Sequence, residues 1–484
     1  MTQTAPLPAW LEAFRRSHDA EVVETHISWL LLAGDLAWKL KKPLTLPFLD
    51  YGTPALRRHF CEEELRLNRR FAPGLYLGLD AVDGTGEWAV RMRRFPESQR
   101  LDHVCARGEL GPEQLSQLAQ VVVAFHDAAV VAGPTSRFGE PAQVLAPALD
   151  NFATLRAHLP EQAPRLDTLE AWTRAEFARI EPALATRKAG GRIRECHGDL
   201  HLGNLVLLDG QVCPFDCIEF SDDLRWIDVA SELAFTYMDL LDHRRPDLAA
   251  WLLDAWLRES GDFQAVPVLR FYSVYKALVR AKVAALGGAS AQAGGYLALA
   301  ESTATPPPPR LTITFGLSGS GKTTQSSALL RASPGATTVR IRSDVERKRL
   351  HGLGPLERSH STPAGGIYTA EATRRTYARL HDTAALALDA GWSVVVDAAF
   401  LKRHERDSFR ALAAEHGAGF AILACSAPLH EMRHRLETRQ HDASEATVDV
   451  LERQLDWVEP LTADETAQCI PMLDPEQGRL PPGA

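Results

Sequence analysis

Two stretches of this sequence place residue types at spacings that suit phosphoryl transfer. The first is Cys196-His197-Gly198-Asp199-Leu200-His201-Leu202-Gly203-Asn204-Leu205. Behind it, Val206-Leu-Leu208 and Gln211–Phe215 read as a strand pair joined by the tight turn Asp209-Gly210, and the return strand delivers Asp216. Moving a phosphoryl group to a hydroxyl needs a base for the acceptor proton and hard oxygen ligands for Mg²⁺. Asp199 suits the base, and Asn204 and Asp216 suit the metal. An alternative, a zinc site drawn from Cys196, His197, His201, Cys213 and Cys217, lacks the paired C-x-x-C spacing of such sites.

The second stretch is Gly316-Leu317-Ser318-Gly319-Ser320-Gly321-Lys322-Thr323, continued by Thr324. It follows a β-rich run and opens a helical pattern, the context in which glycines let backbone amides wrap a phosphate. Lys322 is expected to reach the β- and γ-phosphates, and the Thr323 hydroxyl to hold Mg²⁺. Asp344 then stands near the end of the next predicted strand. It is either a base for an acceptor hydroxyl, with Arg347 nearby for an anionic group, or simply a helix cap. Asp397 ends a later strand, placed for Mg²⁺. Arg433, Arg435 and Arg439 recur at helical spacing, as a lid over the phosphates or as a solvated helix face.

A third group belongs with the first stretch. In the strand pattern around Leu36-Ala37-Trp38-Lys39, the residues Ala37, Lys39 and Lys41 share a face. The helix announced by Thr53-Pro54 carries Glu64 on its apolar stripe, where a carboxylate needs a partner. The expected ion pair is Lys39–Glu64, with Lys39 on the nucleotide phosphates; a surface lysine cluster is the competing reading.

These residues need elements to hold them. Strand patterns at 27–41, 77–82 and 88–94 precede helical patterns at 112–131, 143–186 and 227–283. That order predicts a small sheet lobe followed by a helical bulk. Residues 284–295, rich in Ala and Gly, read as a fading helix and a loop. From Leu311 onward, strand runs at 311–315, 337–342, 393–396 and 420–425 alternate with helices, as in a parallel sheet covered by helices. Between the parts lies Glu301-Ser-Thr-Ala-Thr-Pro-Pro-Pro-Pro-Arg310, a stiff spacer. The expected domains are 1–300 and 311–484, with 301–310 as the linker.

Residues of about 20–295, above all His197–Asn204, Asp216 and the helix end Phe125-His126, resemble the aminoglycoside phosphotransferase-like branch of the protein-kinase fold. Residues of about 311–470 resemble the P-loop small-molecule kinases, the group of gluconate kinases, zeta toxins and polynucleotide kinases. The whole order resembles bacterial fusions of these two. The resemblance implies an α+β bilobal kinase-like domain followed by an α/β P-loop domain, with ATP and Mg²⁺ at both. No G-x-G-x-x-G precedes Lys39, only Gly34, so weak nucleotide affinity is expected at the first site.

Composition bounds the remaining possibilities. The chain has 484 residues, 45% of them apolar, and a net charge of −9. These values exclude a disordered or collagen-like chain and argue against a polyanion-binding protein. The seven scattered cysteines suit a reducing compartment. No apolar run reaches spanning length, and no signal-peptide pattern opens the chain, so a cytoplasmic protein without membrane or nucleic-acid partners is expected. The leading reading is a phosphotransferase with two nucleotide sites acting on hydroxyls of small molecules. The alternatives are an ATP-sensing regulator in which one domain controls the other, and a polynucleotide 5′-kinase activity in the second domain. Acceptor identity and oligomeric state are not written in these patterns.

Overall fold

A computed structural model describes residues 7–46, 49–361, 365–439 and 442–473. The ends of the two expected domains, 1–6 and 474–484, lie outside the described residues. Backbone packing gathers the chain into two compact units. One comprises the residues up to Val144 together with Ala185–Thr236; the other comprises Leu145–Leu184 and the chain from Tyr237 onward.

In the first unit a five-stranded antiparallel sheet has the order Glu21–Glu24, Ser28–Ala33, Leu36–Lys41, Glu87–Arg93, Tyr76–Val82. The pattern at 27–41 is thus a hairpin, turning at Gly34 and Asp35. Alternation along Leu36–Lys41 sorts its side chains. Trp38 and Leu40 join a core with Leu11, Phe14, Trp29 and Leu31, while Ala37 joins Cys61, Leu75, Tyr76 and Val90 on the other face. Each buried Leu, Val or Phe among them contributes about 1.5–3 kcal/mol. Lys39 and Lys41 share the face of Ala37, which is covered by the helix Pro54–Asn68. That helix starts where its cap chemistry says: the Thr53 hydroxyl accepts the Leu56 N–H at 3.3 Å and Pro54 occupies the first turn. The strand pair Leu205–Leu208 and Gln211–Pro214 turns at Asp209 and Gly210, both at positive φ.

The long helical patterns are interrupted. The stretch 143–186 becomes Pro141–His158 and Ala163–Ala189, with a short 3₁₀ turn between them. The stretch 227–283 becomes Val229–Asp242, Pro246–Ser260 and Val266–Leu286. Its breaks fall at Arg244 (φ +58°) and at Gly261 (φ +65°), a left-handed helix end that donates to Leu257 O. The Ala/Gly-rich segment is not a loop: a second helix, Ser290–Ala304, packs along Val266–Leu286. It also takes up the first residues of the expected linker, leaving the prolines 306–309 as the extended piece.

In the second unit five parallel strands have the order Thr338–Arg342, Ser393–Asp397, Arg310–Phe315, Gly419–Ala424, Cys469–Ile470, as the alternation of strands and helices implies. The last, two residues long, carries too little pattern to be read from sequence. The phosphate loop leaves the central strand Arg310–Phe315 and enters the helix Lys322–Arg331. Among the described residues, no helix is long and apolar enough to cross a membrane.

Candidate active sites

In the first unit, Glu64 is fully buried between two lysines of one strand. Its Oε1 lies 2.9 Å from Lys39 Nζ and its Oε2 2.7 Å from Lys41 Nζ. Lys39 also pairs with Asp216, and Lys41 with Glu219, to which the Tyr51 hydroxyl donates as well. Burial pushes the Glu64 carboxyl up, but the two ammonium groups outweigh it and hold the group at about 2. Burial likewise works against the Lys39 ammonium, yet Asp216 and Glu64 keep its pKa well above the lysine range. Two ammonium groups thus face the carboxylates of Glu64, Asp216 and Glu219, a negative balance that suits a bound cation.

Asp216 has φ +64°, a strained setting for a non-glycine residue, and its backbone is held from both sides. Its N–H donates to the Tyr76 hydroxyl at 3.0 Å, and the next N–H, of Cys217, donates to Asn68 Oδ1 at 2.9 Å. Asn68 is fully buried on the helix that carries Glu64, so one helix positions both carboxylates.

The Asp199 loop has its own scaffold. Glu232 Oε2 accepts the N–H groups of His197 (2.7 Å) and Gly198 (2.9 Å), while Oε1 faces His126 Nε2 at 3.1 Å. Burial raises the Glu232 carboxyl, and the His126 hydrogen bond helps bring it below the usual range. Gly198 has φ +90°, and a Cβ there would meet Leu224 O at 2.8 Å, so the loop requires glycine. Asn204 Nδ2 donates to Asp199 Oδ2 (3.0 Å) and to its backbone O (2.9 Å). With that nitrogen engaged, the amide oxygen of Asn204 is the atom of this side chain that could hold a cation. His201 Nδ1 accepts the Gly203 N–H at 3.1 Å, and its Nε2 lies 3.5 Å from Asp199 Oδ2. Asp228 pairs with Arg187 through both oxygens and accepts the Ala230 N–H. The zinc alternative is not assembled. Among the described residues only His126/Cys196/Glu232 and Asp239/Asp242/His243 cluster at ligand spacing, and Glu232 is already engaged by His126 and two amides.

In the second unit, a cavity of about 540 Å³ is lined by Ser318, Gly319, Gly321, Lys322, Thr323, Thr324, Asp344, Arg347, Asp397, Arg435 and Arg439. Gly319 has φ +83°, and a Cβ there would stand 2.6 Å from Met432 O. Lys322 Nζ donates to Gly316 O and Leu317 O at 2.8 Å each, holding the loop closed on itself. Burial lowers the Lys322 pKa, and Asp397 partly restores it. Leu317 packs beside the Met432, Leu436 and Leu451 cluster, and the Ser318 N–H donates to Gln454 Oε1 at 2.7 Å. The Ser320 hydroxyl is buried with no partner within the protein. A buried donor left over in a loop of amides fits a phosphate.

Asp397 ends its strand 5% exposed, with Ser326 Oγ 3.1 Å from its Oδ2 and Arg342 Nε at 3.6 Å. A carboxylate and the Thr323 hydroxyl on one cavity are hard oxygen donors that fit Mg²⁺. Asp344 lies in the first turn of the helix Ser343–Arg349 rather than on the strand. The cap position is Arg342, so Asp344 does not cap this helix. Arg347 Nη1 donates to Ile367 O and to Thr373 Oγ1, and its Nε is buried without a partner. The arginine row divides. Arg435 donates to Gly319 O at 3.2 Å, whereas Arg433 turns to Glu452, away from the cavity. The helix ends at Thr438, so Arg439 reaches the cavity from beyond it. The sequence places Lys41 on the face of Lys39 without giving it a partner, and it does not point to Tyr51, Glu219, Gln454 or Glu405. Burial pushes up the carboxyl of Glu405, which lines the same cavity.

Comparisons with known proteins meet this geometry. Residues 61–272 match the phosphotransferase enzyme family, and residues 311–461 match an AAA domain family. Among solved structures, ethanolamine kinase of Plasmodium vivax is similar at 11% identity and a TM-score of 0.39, covering 59% of this chain and 82% of its own. A choline/ethanolamine kinase family protein of Mesorhizobium loti is similar at 13% and 0.38, covering 62% and 96%. Among curated proteins, the uncharacterized proteins Rv2004c of Mycobacterium tuberculosis (H37Rv) and Mb2027c of Mycobacterium bovis are each 31% identical over 453 residues, 90% of both chains. With that coverage and a phosphotransferase segment ahead of a P-loop segment, the chain belongs to the family of Rv2004c and is a phosphotransferase.

Proposed function

We propose that the protein has two Mg²⁺- and ATP-dependent phosphotransferase sites, in segments 1–300 and 311–484, each acting on a hydroxyl of a small molecule. The observation that carries this reading is a repeated combination. In each segment a half-buried lysine occurs together with a carboxylate suited to a cation, a further oxygen donor and a second carboxylate available for a proton. In the first segment these are Lys39, Asn204 and Asp216, with Asp199 as the base. In the second they are Lys322, Thr323 and Asp397, with Asp344 as the base, on one cavity.

The chemistry at both sites has one form. A carboxylate oxygen of Asp199 or Asp344 accepts the proton of the acceptor hydroxyl. The acceptor oxygen bonds to the γ-phosphorus as the bond from that phosphorus to the β,γ-bridging oxygen breaks, leaving ADP and a protonated carboxyl. Lys39, oriented by Glu64, and Lys322, oriented by its loop, attract the phosphates. Arg435 and Arg439 add positive charge where the transferring group becomes exposed. Asn204 and Asp216 at one site, and Thr323 and Asp397 at the other, would hold Mg²⁺, which would supply positive charge against the phosphates.

Calorimetry of the full chain with Mg²⁺ and a non-hydrolysable ATP analogue tests the two-site reading. Two nucleotides per chain are expected, one lost in Lys322→Ala and the other in Asp216→Ala. A single site in the wild type, or two sites remaining in Lys322→Ala, contradicts it.

A further inference from the structure

Arg340 lies in the middle of the strand Thr338–Arg342 and is 4% exposed. Its Nε and Nη2 donate to Asp254 Oδ1 (2.9 Å) and Oδ2 (2.6 Å), a bidentate pair. Asp254, also 4% exposed, belongs to the helix Pro246–Ser260, inside the segment matched by the phosphotransferase family and within the same compact unit as Arg340. The third nitrogen, Nη1, is directed at the first turn of the phosphate-loop helix. It donates to Ser327 Oγ, to Ser326 Oγ at 3.2 Å and, at 3.4 Å, to Thr323 O. The Ser326 hydroxyl has one proton to give, and both Asp397 Oδ2 and Thr323 O stand 3.1 Å away. One hydrogen-bonded chain therefore runs from Asp254 through Arg340 to both residues assigned to the cation of the second site.

We infer that Asp254 is a positioning residue for the divalent-cation site of the P-loop segment, supplied by the segment that carries the other phosphotransferase site. A buried ion pair can often be replaced by apolar side chains with little loss of stability, so stability alone does not account for it. What an apolar pair cannot supply is direction and charge balance. Bidentate pairing fixes the guanidinium plane, and so aims Nη1 at Thr323 and Ser326. It also neutralises a buried cation that stands one hydroxyl away from Asp397, and so limits its competition there with a metal ion. Partners of metal ligands commonly change metal affinity 10–100-fold when removed.

The inference rests on the reading of the second site as a Mg²⁺-nucleotide site, and the experiment separates the two. Binding of a fluorescent ATP analogue is titrated with Mg²⁺ in the full chain, with the first site silenced by Lys39→Met. Asp254→Asn should raise the Mg²⁺ concentration needed to tighten binding by about 10–100-fold while leaving binding in EDTA unchanged. Asp254→Glu should restore part of the loss. Because Asp254→Asn strands a buried charge and can unfold the protein, the double variant Asp254→Leu/Arg340→Met provides a neutral replacement. It should melt near the parent and show the same Mg²⁺ defect. Ser326→Ala, which removes the hydroxyl between Arg340 and Asp397 and leaves the Arg340 contacts to Ser327 and Thr323, should shift the Mg²⁺ dependence in the same direction by less. A folded double variant with unchanged Mg²⁺ dependence would overturn the inference alone. Undiminished nucleotide binding in Lys322→Ala would overturn the site itself, and the inference with it.

Discussion

Lys41→Met and Lys39→Met should separate the structural lysine of the first site from the functional one. Lys41 is 2% exposed and serves two carboxylates, Glu64 at 0% and Glu219 at 4%. Removing its ammonium leaves Glu219 with the Tyr51 hydroxyl and Glu64 with Lys39 alone. Breaking a buried pair from one side costs about 3–5 kcal/mol. Lys39 is different. Without it Glu64 keeps Lys41, and the side chain of Asp216, 44% exposed, can be hydrated instead. Its stability cost should be the smaller of the two. Its effect on nucleotide should be large, because a charged hydrogen bond contributes about 1.5–3 kcal/mol, or about 10- to 100-fold in affinity. Urea denaturation of the full chain, followed through the tryptophan fluorescence of the first unit, reads the stabilities. Calorimetry on a Lys322→Ala background reads the first nucleotide site. Equal stability losses, or a larger loss in Lys39→Met, would refute the assignment of the two roles.

Other outcomes follow from the same contacts. The Glu64 carboxyl is held at about 2 against an ordinary 4.5, so its contribution to stability is full above 4.5 and lost as pH falls toward about 2; Glu64→Gln should flatten the stability profile in that window. Gly319→Ala must displace Met432 O, so it should abolish nucleotide binding at the second site and spare the first, as measured by calorimetry. A fragment beginning at residue 306 loses Asp254 and the Arg270 bonds to Ala390 O and Gly391 O. That fragment should be about 3–5 kcal/mol less stable in urea than the same unit of the full chain, and an equal midpoint would count against the packing described.

What could be read from sequence was local. The residues Gly316–Thr323 and His197–Asn204 each fold as one loop, so spacing alone gathers their atoms. Lys39 and Glu64 were accessible because alternation and helical periodicity each name a buried face. The companions of that pair were not: Glu219 meets Lys41 only after the chain has folded back from the Asp216 strand. The tie between Arg340 and Asp254 spans 86 residues, and an arginine inside a β-rich run gives no sign of which carboxylate will face it. The helix breaks were missed for a different reason. Arg244 adopts a left-handed conformation that its residue type does not advertise. The segment 290–304, despite Gly294 and Gly295, becomes helical because packing on Val266–Leu286 outweighs a glycine penalty of about 1 kcal/mol per residue.

Transfer of label from γ-³²P-ATP into the small-molecule fraction of a cell extract tests the central claim most directly. The full chain should be compared with Asp199→Asn, Asp344→Asn and the double variant. Each carboxamide keeps the shape of the side chain and removes the basic oxygen, so nucleotide binding should persist while transfer falls by about 10²–10⁴-fold at one site only. Two classes of labelled product are expected, one lost in each single variant and both lost in the double variant. Transfer by the double variant at the wild-type rate would contradict it.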